Sequence, residues 1–272
     1  MVTRINRANA KFEKAAIKPY ARLISKQSNL AASAYEETGD LNEALDIIDT
    51  VNEQWEETAI ALFKKTAMFN AQWLFEEYND ARKGVLTGIF RKGAETIFEE
   101  NLEEFVALWA ANEVVEIVNT TKLKIRRVVM RGLQEGLNPR QIAEKIKDTI
   151  GDLPVSVRVG DRRISRVITA RNRAQMIART EVHNAQNYGN EQAAIATGGN
   201  FLKEWVTASD DRVRDSHLAA ESRYSDSGIP LADLYQVGRV KLLYPGDPNA
   251  TGENVASEII NCRCFSIKTL VD

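Results

Sequence analysis

Gly151-Asp152-Leu153-Pro154-Val155-Ser156-Val157-Arg158-Val159 is where the pattern of the chain changes. Before it, apolar residues recur at helical spacing. Within it, valines alternate with polar residues from Val155 to Val159, the period of a short strand or an extended linker, and Gly151 and Pro154 punctuate its start. A division here predicts a helical N-terminal region over residues 1–150 and a smaller α+β domain over 151–272. The fold class is then α+β, predominantly helical.

Upstream, Glu, Lys, Ala, Leu and Ile dominate, and the prolines are Pro19 and Pro139. Gly39 is placed to stop one helix and Asp40 to cap the next, with Glu43 at the third helical position. Asn138-Pro139-Arg140-Gln141 is a stronger start signal: Asn at the cap, Pro in the first turn and Gln where it can bond back to the cap. Ile142, Ile146 and Ile150 then form one apolar stripe. Trp55, Ala59, Leu62 and Phe63, and later Ile97, Leu102, Phe105, Leu108 and Trp109, supply apolar faces for a helical bundle, with the aromatics packing in its core.

Downstream, the spacing predicts a long helix from Asp161 to about Thr197. Ile164, Ile168, Ala174, Ala178, Val182 and Ala185 lie along one side, and Gly198-Gly199 ends it. Phe201–Thr207 reads as a strand with Trp205 as a core anchor, Asp211–Glu221 as a short helix, Gly228–Gly252 as turn-rich, and Ile259–Leu270 as a strand. In the long helix Arg179, His183 and Asn187 share a face at four-residue steps. Glu181 lies on a different side.

The composition is that of an ordinary soluble globular protein: 44% hydrophobic and 27% charged, with 36 basic against 38 acidic residues and a net charge of −2. The chain as a whole is no polycation, so any nucleic-acid contact must come from local clusters. No run approaches the ~20 apolar residues needed to span a bilayer, and Met1–Asn6 lacks a signal peptide's apolar core. A reducing intracellular setting is the expectation.

Arg4, Arg7, Lys11, Lys14, Lys18, Arg22 and Lys26 step by three or four residues, placing a basic stripe on one helical side, with Pro19 expected to kink that helix. Lys122–Arg131 and Arg162–Arg173 hold two further basic clusters. Such a row of point charges binds phosphates without sequence preference, as in viral or other DNA, or meets an acidic protein surface.

The two cysteines of the chain sit together in Asn261-Cys262-Arg263-Cys264. In an extended segment, residues i and i+2 face the same way, so both sulfurs can point together while Asn261 and Arg263 turn away. A disulfide across so short a loop is strained. Two thiols on one face suit a tetrahedral zinc site, with His217 as third ligand and His183 or a carboxylate as fourth. A buried, unligated cysteine pair is the other reading.

Arg179-Thr180-Glu181, then Trp205, then Asp210-x-Arg212-Val213-Arg214-x-x-His217, then Pro245-Gly246-Asp247-Pro248, then Asn261-Cys262-Arg263-Cys264 occur in that order. Over roughly residues 160–268 this resembles the head-morphogenesis domain of the phage Mu F-like (MuF) family of minor head proteins. Gly136–Ala143 resembles the segment that often precedes that domain. The resemblance implies a non-enzymatic, low-copy component of the virion, resident inside the head and present in the host cytoplasm during assembly. Its implied partner is the phage portal protein, with scaffold or major capsid protein and viral DNA as further contacts during packaging or ejection. It implies structural roles for Arg179, Glu181, Trp205, Asp210, Arg212 and Asn261. It also implies a zinc site in which His217 and Arg214 stand where some relatives have Cys-x-x-Cys. Arg214 cannot ligate, so a fourth ligand must come from elsewhere.

Two competing activities can be written down. Asp210, Asp211 and Asp215 beside His217 make a carboxylate cluster of the kind that holds Mg²⁺ or Zn²⁺ and activates water, which would suit a nuclease or phosphodiesterase. The basic stripes would suit a free-standing DNA-binding protein. Against catalysis, the chain has no phosphate-cradling Gly-rich loop before a helix, no nucleophile elbow and no HExxH motif.

Overall fold

The computed structural model describes residues 2–82, 93–151, 153–159, 162–168 and 170–271, with side chains described for 7–76, 93–110, 112–148 and 170–271. The helical region comprises α1 (Val2–Thr38), α2 (Leu41–Asp46), a 3-10 turn (Ile47–Val51), α3 (Asn52–Arg82), α4 (Ala94–Gln134) and α5 (Pro139–Gly151). A hairpin of β1 (Leu153–Val159) and β2 (Arg162–Ile168) leads into α6 (Ala170–Thr197). Then follow β3 (Phe201–Val206), α7 (Asp215–Tyr224), β4 (Ile229–Pro230), β5 (Tyr235–Val237), β6 (Val240–Leu242), β7 (Thr251–Gly252), α8 (Val255–Ile259) and β8 (Phe265–Leu270). The protein is therefore predominantly helical α+β, with all its paired strands antiparallel among the described residues.

Chain compactness groups these elements differently from a cut at residue 150. One unit gathers residues 1–13, 61–107 and 179–272, and a second gathers 14–60 and 108–178. In the second unit, Tyr20 stacks on Trp55 with ring centroids 5.4 Å apart, and Ile142 and Ile146 are fully buried. Ile150 lies outside the described side chains. The α5 start is a reciprocal capping box: Gln141 N–H donates to Asn138 Oδ1 at 2.9 Å, and Asn138 N–H donates to Gln141 Oε1 at 3.0 Å. Gly39 adopts φ +68° after α1, a left-handed conformation that favours glycine, and Asp40 Oδ1 caps α2 through Asn42 N–H at 2.7 Å. The α1 helix continues through Pro19.

Two expectations change here. The helix expected from Asp161 starts at Ala170, because residues 162–168 pair with 153–159 as a hairpin in the register Val159↔Arg162 to Leu153↔Ile168. The β-branched residues of Arg162–Ile168 favour a strand, and Ile164 and Ile168 at i, i+4 mimicked a helical stripe. Leu108 is 68% exposed, so it does not share the buried face that Leu102 and Trp109 occupy.

The first unit holds two three-stranded sheets, in the orders β4-β3-β8 and β5-β6-β7. Strand β3 alternates strictly, with Phe201, Lys203 and Trp205 buried. Trp205 packs edge-to-face on Tyr235 at 5.2 Å, and Tyr224, Val237, Val240 and Leu242 complete this core. On α6, Tyr188 stacks on Phe105 at 4.1 Å. Beside it, Gly189 lies so close to α3 that a Cβ there would sit 2.3 Å from the Ala67 carbonyl oxygen. Only a residue without a side chain allows that approach.

Candidate metal centre and its supporting network

The elements around the cysteines begin later than the sequence pattern suggested. Residues 210–213 form a turn, with Asp210 Oδ1 accepting Arg212 N–H at 3.1 Å and Asp210 O accepting Val213 N–H at 3.2 Å. Helix α7 therefore starts at Asp215 rather than Asp211, and His217 sits in its first turn. Likewise, α8 and a turn occupy the stretch before Phe265, so Cys262 and Cys264 lie just ahead of β8 instead of within a strand. Asn261 takes φ +59° at that turn. The i, i+2 alternation nevertheless holds: both sulfurs face inward and Arg263 faces away.

His217 Nδ1 stands 3.2 Å from Cys264 Sγ and 3.7 Å from Cys262 Sγ. All three side chains are at least 97% buried. Among the described residues they form the group of His, Cys, Asp and Glu side chains able to share a metal, with ligand atoms within 4.8 Å of one another. A zinc ion with Zn–S near 2.3 Å and Zn–N near 2.0 Å holds tetrahedral neighbours roughly 3.5 Å apart, so the donor spacing suits it. His217 Nε2 meets Glu258 Oε2 at 3.0 Å, and Ser216 Oγ donates to the same oxygen at 2.8 Å. This carboxylate orients the imidazole, as second partners of ligating histidines do. The Trp205 ring packs edge-on against His217 at 5.4 Å. A bond shared between the cysteines holds the Cys262 thiol well below its ordinary value and, with burial, pushes Cys264 up. A cavity of about 10 Å³, room for about one water, adjoins the three donors and Arg214.

His183 lies outside the three-residue group. It is half-buried, its Nδ1 has no hydrogen-bond partner among the described residues, and burial lowers its pKa. It lines a separate pocket of about 410 Å³ with Asn9, Glu13, Thr207 and Arg263. Arg214 donates to the Ile260 carbonyl at 2.7 Å, which ties the α7 start to the cysteine loop.

The remaining motif residues hold the loop in place. Arg179 Nη1 donates to Asn261 Oδ1 at 3.0 Å, and its Nη2 pairs with Glu13 at 2.9 Å. Thr180 Oγ1 accepts Asn261 N–H at 2.9 Å. Asn187 Nδ2 donates to Pro245 O at 2.9 Å and Cys264 O at 3.1 Å, while its Oδ1 accepts Ser266 N–H at 3.1 Å. Arg179 and Asn187 therefore bond the segment around the cysteines from one side of α6. Glu181 is buried on α6, and Trp205 is 1% exposed. Asp210 accepts a forked pair of bonds from Arg263 and another from Arg212 Nη2 at 3.2 Å. Those bonds hold its carboxyl well below the usual range. Asp247, buried in the Pro245–Pro248 turn, accepts Leu243 N–H at 2.9 Å and Asn249 N–H at 2.8 Å.

The carboxylates considered for catalysis do not assemble: Asp210 is engaged by arginines, and Asp211 and Asp215 are exposed. Sequence reasoning missed Glu258, Glu191 and the paired lysines. Glu191 receives Lys203 Nζ at 3.0 Å and Lys268 Nζ at 2.8 Å, all three buried. Lys203 also donates to Leu243 O at 2.7 Å. On α1, Arg7, Lys11, Lys14, Lys18 and Arg22 are exposed, as is Lys26, which bonds Gln54 at 2.9 Å. The Arg4 side chain and those of Arg162, Arg163 and Arg166 lie outside the described residues. No helix among the described residues is long and apolar enough to cross a membrane.

The profile of a family described as Phage Mu protein F like protein matches residues 123–267, more than half of the chain. It starts within α4 and ends in β8, so it reaches further upstream than the motifs quoted above. No curated protein matches the chain, and no solved structure does.

Proposed function

Because the chain belongs to the Phage Mu F-like family, we propose that it is a minor head protein that joins the portal during head assembly and stays inside the virion near it. The family match is the observation that carries this reading. The network supports a structural role over a catalytic one, since Asp210 is saturated by Arg263 and Arg212 and His217 is clamped between sulfurs and Glu258. The exposed basic side of α1 would meet DNA phosphates during packaging or ejection, or an acidic surface of the portal, scaffold or major capsid protein.

Cys262, Cys264 and His217 would hold one zinc ion, with Glu258 orienting the His217 ring. When bound, zinc supplies a fixed cross-link and neutralises thiolate charge in the core. His217 then fixes α7, and the cysteines fix the segment entering β8.

Co-expression of the full chain with the portal protein of the same phage tests the assembly role. Co-purification with the portal oligomer is expected, and clean separation at low salt would overturn it. Elemental analysis tests the metal: about one zinc per chain is expected, lost in Cys262→Ser. Less than ~0.2 zinc per wild-type chain would remove zinc and leave the head-protein reading standing.

A further inference from the structure

Helix α4 carries a second, outward face with exposed apolar side chains. Between Leu108 and Met130 its inward side buries Val114, Ile117, Val118, Ile125 and Val129. Outward, Leu108, Val115, Leu123 and Met130 are each at least half exposed. The polar residues Asn112, Asn119 and Arg126 interleave with them and are exposed too. Successive steps along this face are 4, 3, 4, 4, 3 and 4 residues, the three-four rhythm of a helix–helix seam. Four large apolar side chains in a row on one exposed face exceed the scattered exposure ordinary for a protein surface.

The order of steps reads the same in both directions, and so does the chemistry. Reversing the seam about Asn119 sets Leu108 against Met130, Val115 against Leu123, and Asn112 against Arg126, with Asn119 opposite itself. Charge differs between the two halves. Exposed acids, Glu104 and Glu116, flank the N-terminal half, and exposed Arg127 flanks the C-terminal half, where Arg131 pairs with Glu135 at 3.0 Å. An antiparallel pairing lays the acidic half along the basic half, whereas a parallel one sets like against like. We propose that this face of α4 docks an antiparallel second copy of the same chain, with the twofold axis at Asn119. The pairing is isologous and closed, so it stops at a dimer. A polar residue on the axis fixes register by pairing its amide with its own copy.

The wild-type chain, followed by sedimentation across concentration, is expected to pass from the mass of one chain to that of two. Val115→Asp with Leu123→Asp, both at exposed positions, is expected to stay monomeric with an unchanged circular dichroism spectrum. Register is read by cysteine pairing, since the native thiols are buried. Asn119→Cys is expected to give a disulfide-linked dimer on oxidation. Leu108→Cys is expected to link only when combined with Met130→Cys. A wild-type chain that stays monomeric up to about 0.1 mM overturns the proposal. So does linkage of Leu108→Cys to itself, which marks a parallel pair, or a monomer whose seam instead governs portal binding.

Discussion

Lys203 and Lys268 in one compact unit share a buried carboxylate, Glu191, whereas among the described residues Lys124 and Arg173 in the other pair with no such acid. Among the described residues, Lys124 Nζ has no hydrogen-bond partner, and Arg173 bonds only the neutral Thr121 Oγ1 and Ile117 O, each at 3.1 Å. Both pairs are buried. The first arrangement spreads charge through a strand pair, a helix and a carbonyl, and so ties separate segments together. The second leaves two like charges in a poorly solvated place, which opposes folding. A buried cation by itself therefore says little about stability; what surrounds it decides the sign.

The sharpest break is Glu191→Gln, which leaves two buried ammonium groups without their shared anion. A loss of about 3–5 kcal/mol in chemical unfolding is expected, and a loss under about 1 kcal/mol would mean the lysines escape to water.

Next comes the thiol cluster, where a metal would play the part that Glu191 plays for the lysines. Cys264→Ser is expected to lower the melting temperature by roughly 10 °C, about 3 kcal/mol for a chain of this size. Prolonged chelation should lower the wild type equally and leave the variant unmoved. Equal sensitivity of both to chelator contradicts the metal.

Lys124→Met is expected to do the opposite and stabilise, by on the order of 2 kcal/mol. Burial, then the neighbouring Arg173, lowers Lys124 to about 7, against about 10.4 in an unfolded chain. Between those values the unfolded chain holds the extra proton, so stability should rise with pH from about 7 to about 10, and the penalty is complete below about 7. Thermal melts across that window should show the rise in the wild type and a flatter profile in the variant. A parallel rise in both assigns the slope to another group.

The smallest effect belongs to Asp210, the partly exposed member of the arginine fork. Its depressed pKa supplies stability that is present above the usual carboxylate range and fades as pH falls through the folded value. Asp210→Asn should cost a little stability at neutral pH, flatten the acid limb of the stability profile, and converge with the wild type at low pH.

Much of this contrast was legible from local pattern, and the illegible part is specific. The Asn138–Gln141 box could be read because both of its bonds span three residues. Lys203 alternates with Phe201 and Trp205, so a lysine on the buried face was visible in principle. Its partner Glu191 was not, because that pairing depends on how α6 packs. The convergence of His217 with the cysteines followed from residue chemistry and from the order of motifs. Glu258 could not be foreseen, since α8 is five residues long and carries no pattern of its own. The pairing of β1 with β2 is half legible: alternation marks β1, while Ile164 and Ile168 fit two periods at once.

The unit that holds the cysteine centre is assembled from three stretches of chain, and its earliest stretch, residues 1–13, leaves the ribosome long before its last, 179–272. The other unit has all of its residues once position 178 is made. Synthesis therefore sets an order: the second unit can settle first, while Glu13 waits for Arg179 and the cysteines follow later still. A protein built this way can form its thiol centre only after every residue of the other unit has been made.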